Sequence, residues 1–376
     1  MCTASLQALP LPKLPATPLV SVLVTSFNYG RFIRDAIYSI LDQPYRNVEV
    51  IVCDDASQDD SCAIVEDCAR RDPRVKLIRS PANRGMAAGT NSAFAASSGA
   101  IVCLLDADDL FCADKIVRVV ERFAAEPRAG FLLHSMMVVN NKGAPIQQIP
   151  LMPAFERGWI ADRVVRRGGR LREMPTTALC FRREAAEEAF PIPEEPFRRS
   201  ADGFVFTLLP LLTEVAAIDE PLAKYRVHTD NDFGSITRSR KSFMTEMGFV
   251  EAQVVHVNRR LAERTSRSDI LDLKRHLGYA LAELVVALLD GASIRSVQRD
   301  HRRVFRMLLR DDLYDMGHKA WWLLVLMVAL VLPNRGRARW LGSMLGFRRW
   351  KMILRQLKMR PIANRLQRHP APPTSA

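Results

Sequence analysis

Asp106-Ala-Asp-Asp109 sets carboxylates one residue apart directly after an apolar run, Ile101-Val-Cys-Leu-Leu105. Two carboxylates spaced this way at a strand end can converge on one hard cation. Magnesium or manganese held by one or two carboxylates completes its shell with substrate phosphates, and such an ion neutralises a departing diphosphate. Acidic residues also simply stop strands and cap helices, the plainer use for Asp109 or Asp114. A second pair, Asp54-Asp55, ends the run Val48-Glu-Val-Ile-Val-Cys53. A carboxylate there can accept from the imide N–H of a uracil or thymine ring or from a ribose hydroxyl. It can equally cap the next helix, where Ser57 and Asp59 are the stronger candidates. Asn83-Arg84-Gly85 forms a turn before a helix of small residues. Gly85 allows an awkward backbone angle, and Arg84 either faces a phosphate or merely completes the turn.

These residues need elements to hold them. Leu19-Val-Ser-Val-Leu-Val-Thr25 is a β-branched run of the kind buried on both faces of a sheet. Phe32, Ile33, Ile37, Ile40 and Leu41 follow at helical spacing. The run at 48–53, a helix through Ile64 and Val65, a strand at 75–78, a helix over 86–97 and the run at 101–105 continue the alternation. Strand and helix in turn predict an α/β fold with a parallel sheet, whose ligands lie beyond the carboxyl ends of the strands. The strands ending at Thr25, Cys53 and Leu105 all run into polar or acidic residues there. Beyond Pro127 the pattern predicts added strands at 130–134 and 136–139, a loop rich in Pro, Gly and Arg to about Pro175, a helix over 204–213 and a strand at 215–218. Residues 238–309 read as helices, and no internal repeat is visible.

Composition narrows the class. Hydrophobic residues make up 48% and charged residues 25% of 376, enough apolar material for a core. Seven cysteines are scattered without a C-x-x-C pair, which argues against a zinc site or a secreted disulfide framework and for a reducing cytosol. Residues 1–18 lack a continuous apolar segment and read as a loose lead, not a signal peptide. The net charge of +13 is concentrated: from Met316 to Ala376 there are twelve Lys and Arg and no Asp or Glu. The body is close to neutral, and the tail calls for an anionic partner.

Five segments in register resemble the family 2 glycosyltransferases with the GT-A fold: Val20–Asn28, Ala36–Gln43, Val48–Asp59, Asn83–Asn91 and Gly99–Asp109. The resemblance implies a mixed, mostly parallel GT-A-type sheet flanked by helices and followed by a helical C-terminal region. It implies that Thr25, Asp54, Asp55 and Arg84 line a nucleotide pocket, that Asp106 approaches the ribose and that Asp108 binds Mn2+ or Mg2+. Ala56 stands where such proteins commonly have glycine. In the second half the likeness is looser. Pro175–Arg183 resembles the segment before the catalytic helix, and Ser200-Ala-Asp-Gly-Phe204 carries Asp202 in the place of the base, with Ala201 where a neighbouring acid is usual. Asp219–His228 resembles the segment that closes over the diphosphate, with His228 as a metal or phosphate ligand or a structural histidine, and Arg226 as added positive charge.

The implied activity is inverting transfer of a sugar from a nucleoside diphosphate, UDP favoured, to a carbohydrate or lipid-linked acceptor in cell-surface polysaccharide or glycolipid assembly. The implied division is a nucleotide-sugar half at 19–125, an acceptor half at 126–237, a helical region at 238–318 and a basic tail at 319–376. A nucleotidyltransferase should carry a Gly-rich phosphate loop after the first strand, which Thr25-Ser-Phe-Asn-Tyr29 is not. A non-catalytic scaffold that kept the fold is the remaining alternative.

In the tail, Trp321 to Leu332 is apolar but shorter than the ~20 residues of a spanning helix. Trp321 and Trp322 suit the headgroup level. Leu345, Trp350, Ile353, Leu354 and Leu357 recur at helical spacing among arginines and lysines, the pattern of an interfacial helix on anionic lipid. A core helix followed by a basic tail is the alternative. Nucleic acid fits less well, because no aromatic platform accompanies the charge. The expected location is the cytoplasm, peripheral at the inner face of the membrane.

Overall fold

The computed structural model describes residues 6–141, 143–149, 155–172, 174–228, 239–265, 267–332 and 340–341. Three β-branched runs form the parallel centre of the sheet: β1 (Val20–Ser26), β2 (Val48–Asp54) and, after β3 (Val75–Arg79), β4 (Ile101–Asp106). Every residue of β2 is buried, and Val20, Val22, Val24 and Ile101 to Cys103 are fully so. That accounts for their near-continuous apolar sequence. The pairings Thr25↔Cys53 and Thr25↔Asp106 bring the three strand ends level with one another.

Helices cover these strands: α1 (Ile33–Leu41), α2 (Ser61–Arg71), α3 (Met86–Ala95) and α4 (Lys115–Ala125). The small residues of α3 have a packing reason. A Cβ on Gly89 would stand 3.3 Å from Thr25 Cγ2, so the helix lies directly on the sheet.

Beyond β4 the sheet is mixed, antiparallel at its next two pairings and parallel again at the one after. In spatial order the strands run β3-β2-β1-β4-β8-β6-β9-β5, with β7 on the far side of β6. The added strands are β5 (Leu110–Phe111), β6 (Ala129–Val139), β7 (Pro145–Ile149), β8 (Leu179–Arg182) and β9 (Glu214–Arg226). The two strands expected at 130–134 and 136–139 are one strand, β6. Its pairing with β9 shifts register on either side of Ser135, and that irregularity breaks the alternation in the sequence. The architecture is a mixed, mostly parallel α/β sheet flanked by helices, with a helical C-terminal region.

Between β7 and β9 lie two short helices, α5 (Ala161–Arg166) and α6 (Arg183–Glu187), and then α7 (Ala201–Leu208). Beyond β9 come α8 (Arg240–Thr265), α9 (Leu277–Leu289), α10 (Ile294–Arg310) and α11 (Met316–Val331). They enclose a second apolar cluster of Phe243, Leu281, Val285, Val304, Leu308, Trp322 and Leu326, separate from the core around the sheet. Helix α8 spans both clusters, with Val257 and Leu261 in the first and Phe243 in the second. Arg167 and Arg170 add ion pairs to Asp312 and Asp311 at the end of α10.

Two expectations for the termini change. Residues 6–18 form no helix or strand, yet they are tied down: Leu9 N–H donates to the Leu212 carbonyl, and the Tyr45 hydroxyl donates to Pro18. The apolar run from Trp321 packs on the protein. Trp322 is 2% exposed among α9 and α10 residues, so it does not sit at a headgroup level. Among the described residues no helix is long and apolar enough to cross a membrane. The amphipathic pattern at 345–357 lies outside the described residues.

Candidate active site

The loops after β1 and β2 are locked to each other before any ligand is considered. Asn28 N–H donates to Ser57 Oγ and Gln58 N–H to Asn28 Oδ1, both at 2.8 Å, while Gly30 N–H donates to Asp59 Oδ2. Buried Asp54 accepts from both the Ser57 backbone N–H (2.8 Å) and its hydroxyl (2.6 Å). This tight turn sends Ala56 to φ +65°. The position where glycine is common thus does require a left-handed backbone, and alanine sits there under strain. Ala56→Gly should stabilise the protein by about 0.5–1 kcal/mol in urea unfolding; a neutral or destabilising result would show that the turn relaxes around alanine.

Asp55 reaches across to the next loop. Its two carboxylate oxygens accept from the backbone N–H groups of Arg84 (2.8 Å) and Gly85 (2.7 Å). The Arg84 guanidinium turns outward onto Glu194, so here the Arg84 backbone and not its charge joins the loop cluster. Gly85 has φ +91°, and a Cβ on it would meet the Arg198 backbone oxygen at 2.5 Å. Met86 N–H donates to that same oxygen. The Asn83–Gly85 turn is therefore the surface on which the segment leading into α7 docks, and α7 carries Asp202 in its first turn.

The acidic loop after β4 is held on three sides. Asp109 is 1% exposed; its oxygens accept from the Thr177 hydroxyl (2.6 Å) and from the Arg226 backbone N–H (2.9 Å). β5 pairs with β9 at Ala223 and Lys224. The Arg226 guanidinium donates to the Asp108 carbonyl at 2.9 Å and lies 3.7 Å from the Asp35 carboxylate. These contacts join the ends of β4 and β9. They carry His228 Nε2 to 2.9 Å from Asp108 Oδ2. Phe32 fixes the arrangement from outside, with the His228 ring at 4.8 Å on one contact and the Arg226 guanidinium at 4.8 Å on another.

Thr176 and Thr177 link this loop to Asp202. The Thr177 hydroxyl accepts from Asp106 N–H (3.1 Å) as well as donating to Asp109, and the Thr177 carbonyl accepts from Lys115 Nζ (2.8 Å). Lys115 is fully buried, its ammonium 3.6 Å from the centre of the Phe111 ring. Thr176 lies beside the carboxyls of both Asp106 and Asp202 and lowers the proton affinity of each. Burial raises the Asp106 proton affinity well above the ordinary carboxylate range, and the Asp109, Asp108 and Asp202 charges raise it further. Burial, with the Asp108 charge, pushes Asp109 up to about 8. Asp202 is raised as well, by burial first, while the Ser200 hydroxyl at 2.9 Å and the Gly203 N–H work against the rise.

Thr25, Asp106, Asp108, Asp202, Arg226 and His228 thus belong to one connected site, and Asp54 and Asp55 support its loops. Lys115, Phe32, Thr176 and Thr177 were not singled out from the sequence. The two threonines lay inside a quoted segment, Phe32 was read as a helix position, and nothing in the sequence marks Lys115 as buried. Among the described residues no group of three or more His, Cys, Asp or Glu is placed to hold a metal by itself. The Asp108 and His228 side chains are hydrogen-bonded to each other, at a separation that also suits two ligands of one ion. Two ligands about 2.1 Å from a metal at right angles stand about 3.0 Å apart.

Comparison with known proteins places this geometry in context. The model for "Glycosyl transferase family 2" matches residues 21–190. An uncharacterized glycosyltransferase of Nostoc sp. is 29% identical over 262 residues, covering 69% of this chain and 80% of that protein. The Escherichia coli UDP-Glc:alpha-D-GlcNAc-diphosphoundecaprenol beta-1,3-glucosyltransferase WfgD is 32% identical over 123 residues, which is 33% of this chain. The matched part spans about half of WfgD, 47% of its length. Among solved structures, S. aureus TarS 1-349 in complex with UDP-GlcNAc superposes with a TM-score of 0.53 at 18% identity, covering 88% of this chain and 92% of that one. That likeness concerns the fold.

Proposed function

We propose that the chain, whose residues 21–190 match the model of glycosyl transferase family 2, is an inverting, metal-dependent hexosyl- or related glycosyltransferase. It uses a nucleoside-diphosphate sugar and serves cell-surface polysaccharide or glycolipid assembly. The observation that carries this reading is the proximity of Asp202 to Asp106, close enough for the Asp202 charge to raise Asp106, with Thr176 beside both. A half-buried carboxylate with raised proton affinity stands near the acidic strand end of residues 19–125.

In this reading residues 19–125 take the nucleotide sugar and residues 126–237 the acceptor. The pocket is lined by Thr25 and the Asp54/Asp55 loops, with Arg84 at its edge and Asp106 toward the ribose. Asp108 and His228 would hold Mn2+ or Mg2+, where the mutual repulsion of the surrounding carboxylates favours a cation. When bound, the ion neutralises the departing diphosphate. Asp202 takes the proton from the acceptor hydroxyl. The freed oxygen attacks the anomeric carbon from the face opposite the diphosphate, and the carbon–oxygen bond to the diphosphate breaks with its electron pair. One displacement turns an α-linked donor into a β-linked product. Arg226 braces the Asp108 loop and adds positive charge.

UDP is favoured as the carrier, and a lipid-linked acceptor is supported by the WfgD likeness. The basic tail would then bring the enzyme to an anionic membrane surface, peripheral at the inner face of the cytoplasmic membrane. Because burial raises Asp202, its base form should be lost on acidification at a higher pH than for a free carboxylate. The acid limb of kcat/KM therefore lies above the usual Asp range; a limb at or below that range would contradict the assignment. The donor class is tested by a thermal-shift panel of UDP-, dTDP- and GDP-sugars with and without manganese. Metal-dependent stabilisation by one nucleotide class supports the reading, and no stabilisation of a folded sample by any donor supports the scaffold.

A further inference from the structure

Helix α10 carries six arginines and one aspartate. Val297, His301, Val304 and Leu308 face the second core. Arg295, Arg299, Arg302, Arg306 and Arg310 are exposed on the opposite side at spacings of three or four residues. Among the described residues, the one ion pair on this helix is a long one, Arg303 to Glu283 at 4.0 Å. The chain from Met316 onward has no Asp or Glu with which to neutralise the stripe. Like charges at this spacing destabilise a helix, and Arg295 stands at its positive end. Folding alone gives no reason for the pattern.

Helix α11, which packs against α10, adds a second feature. Trp322, Val325, Leu326 and Ala329 are buried, while Met316, Leu324 and Met327 on the opposite face are 77%, 58% and 57% exposed. An arginine stripe alone would suit any polyanion. An apolar ridge on the next helix suits the boundary between headgroups and acyl chains. RNA offers no use for that ridge, and the exposed stripe presents no aromatic side chain for stacking.

We propose that the outer faces of α10 and α11 form a docking surface for anionic phospholipid, separate from the tail beyond residue 341. The inference deepens the reading of a lipid-linked acceptor and rests on it for its purpose. The guanidinium forks engage headgroup phosphates, and Leu324 and Met327 enter the interface.

The test is co-sedimentation of the full chain with vesicles of phosphatidylglycerol and phosphatidylcholine, against phosphatidylcholine alone. R299E/R302E/R306E should weaken binding to the anionic vesicles at least about tenfold, since each basic residue near such a surface contributes about fivefold. L324S/M327S should weaken it by a smaller factor, and added salt should lessen the difference made by charge reversal. If the glutamates unfold the helix, R299Q/R302Q/R306Q gives the same readout with a smaller loss. Binding by the charge-reversed variant equal to wild type would overturn the proposal. So would wild-type protein that ignores anionic vesicles but binds a short duplex RNA. Donor-induced thermal shift on the same samples keeps the two readings apart: its absence in the wild type counts against the glycosyltransferase and leaves the vesicle result standing.

Discussion

Asp202→Asn should lower kcat by about a thousandfold and leave donor affinity within about threefold of wild type. The asparagine keeps the size and the Ser200 contact of the native side chain but cannot take a proton. Asp202 lies in the first turn of α7, its carboxyl beside Thr176 and bonded by the Ser200 hydroxyl, and it is not itself a partner of Asp54 or Asp55. A structural role would instead show as lost stability and as donor binding lost in parallel with turnover. Ala201 sharpens the prediction. It stands where the resembling family usually has a second acid, so position 201 supplies no carboxylate to take over as base. Titrating donor by calorimetry and measuring turnover on the same preparation separates the outcomes.

Asp108→Ala should have the complementary effect. Donor binding in manganese should weaken roughly a hundredfold, about 3 kcal/mol, and should no longer respond to the metal. Asp108 Oδ2 is the partner of His228 Nε2, and without it one imidazole remains as a protein ligand. Residual, metal-independent binding through the Asp54 and Asp55 loops is expected to persist. If Asp108→Ala binds donor as tightly as the wild type and still responds to manganese, the ion lies elsewhere. The same variant leaves the Asp109 contacts to Thr177 and the Arg226 N–H in place, so the loop should keep its fold.

Strands β1, β2 and β4 were legible because they are buried on both faces. Such strands must be β-branched and apolar, and they end abruptly where the chain meets solvent. The acidic residues at those ends could be named for the same reason. What joins them was not legible. His228 meets Asp108 across 120 positions of sequence, through a strand pairing that the sequence does not advertise. Lys115 opens a helix, where a lysine usually points to water; the carbonyl of Thr177 and the face of Phe111 receive its buried ammonium. Ala56 looked harmless because φ cannot be read from residue type. The run at Trp321 was ambiguous by physics: a buried helix and an interfacial one share the same apolar content and length, and only the packing of Trp322 separates them.

The central claim is that Asp202 drives inverting transfer from a nucleotide sugar. Its most direct test is a proton NMR time course of an α-linked UDP-sugar with the protein and manganese, water standing in for the acceptor. Slow release of UDP with the β anomer of the free sugar formed first, and no release above background by Asp202→Asn, is the expected result. An α anomer formed first, or equal release by that variant, would contradict it.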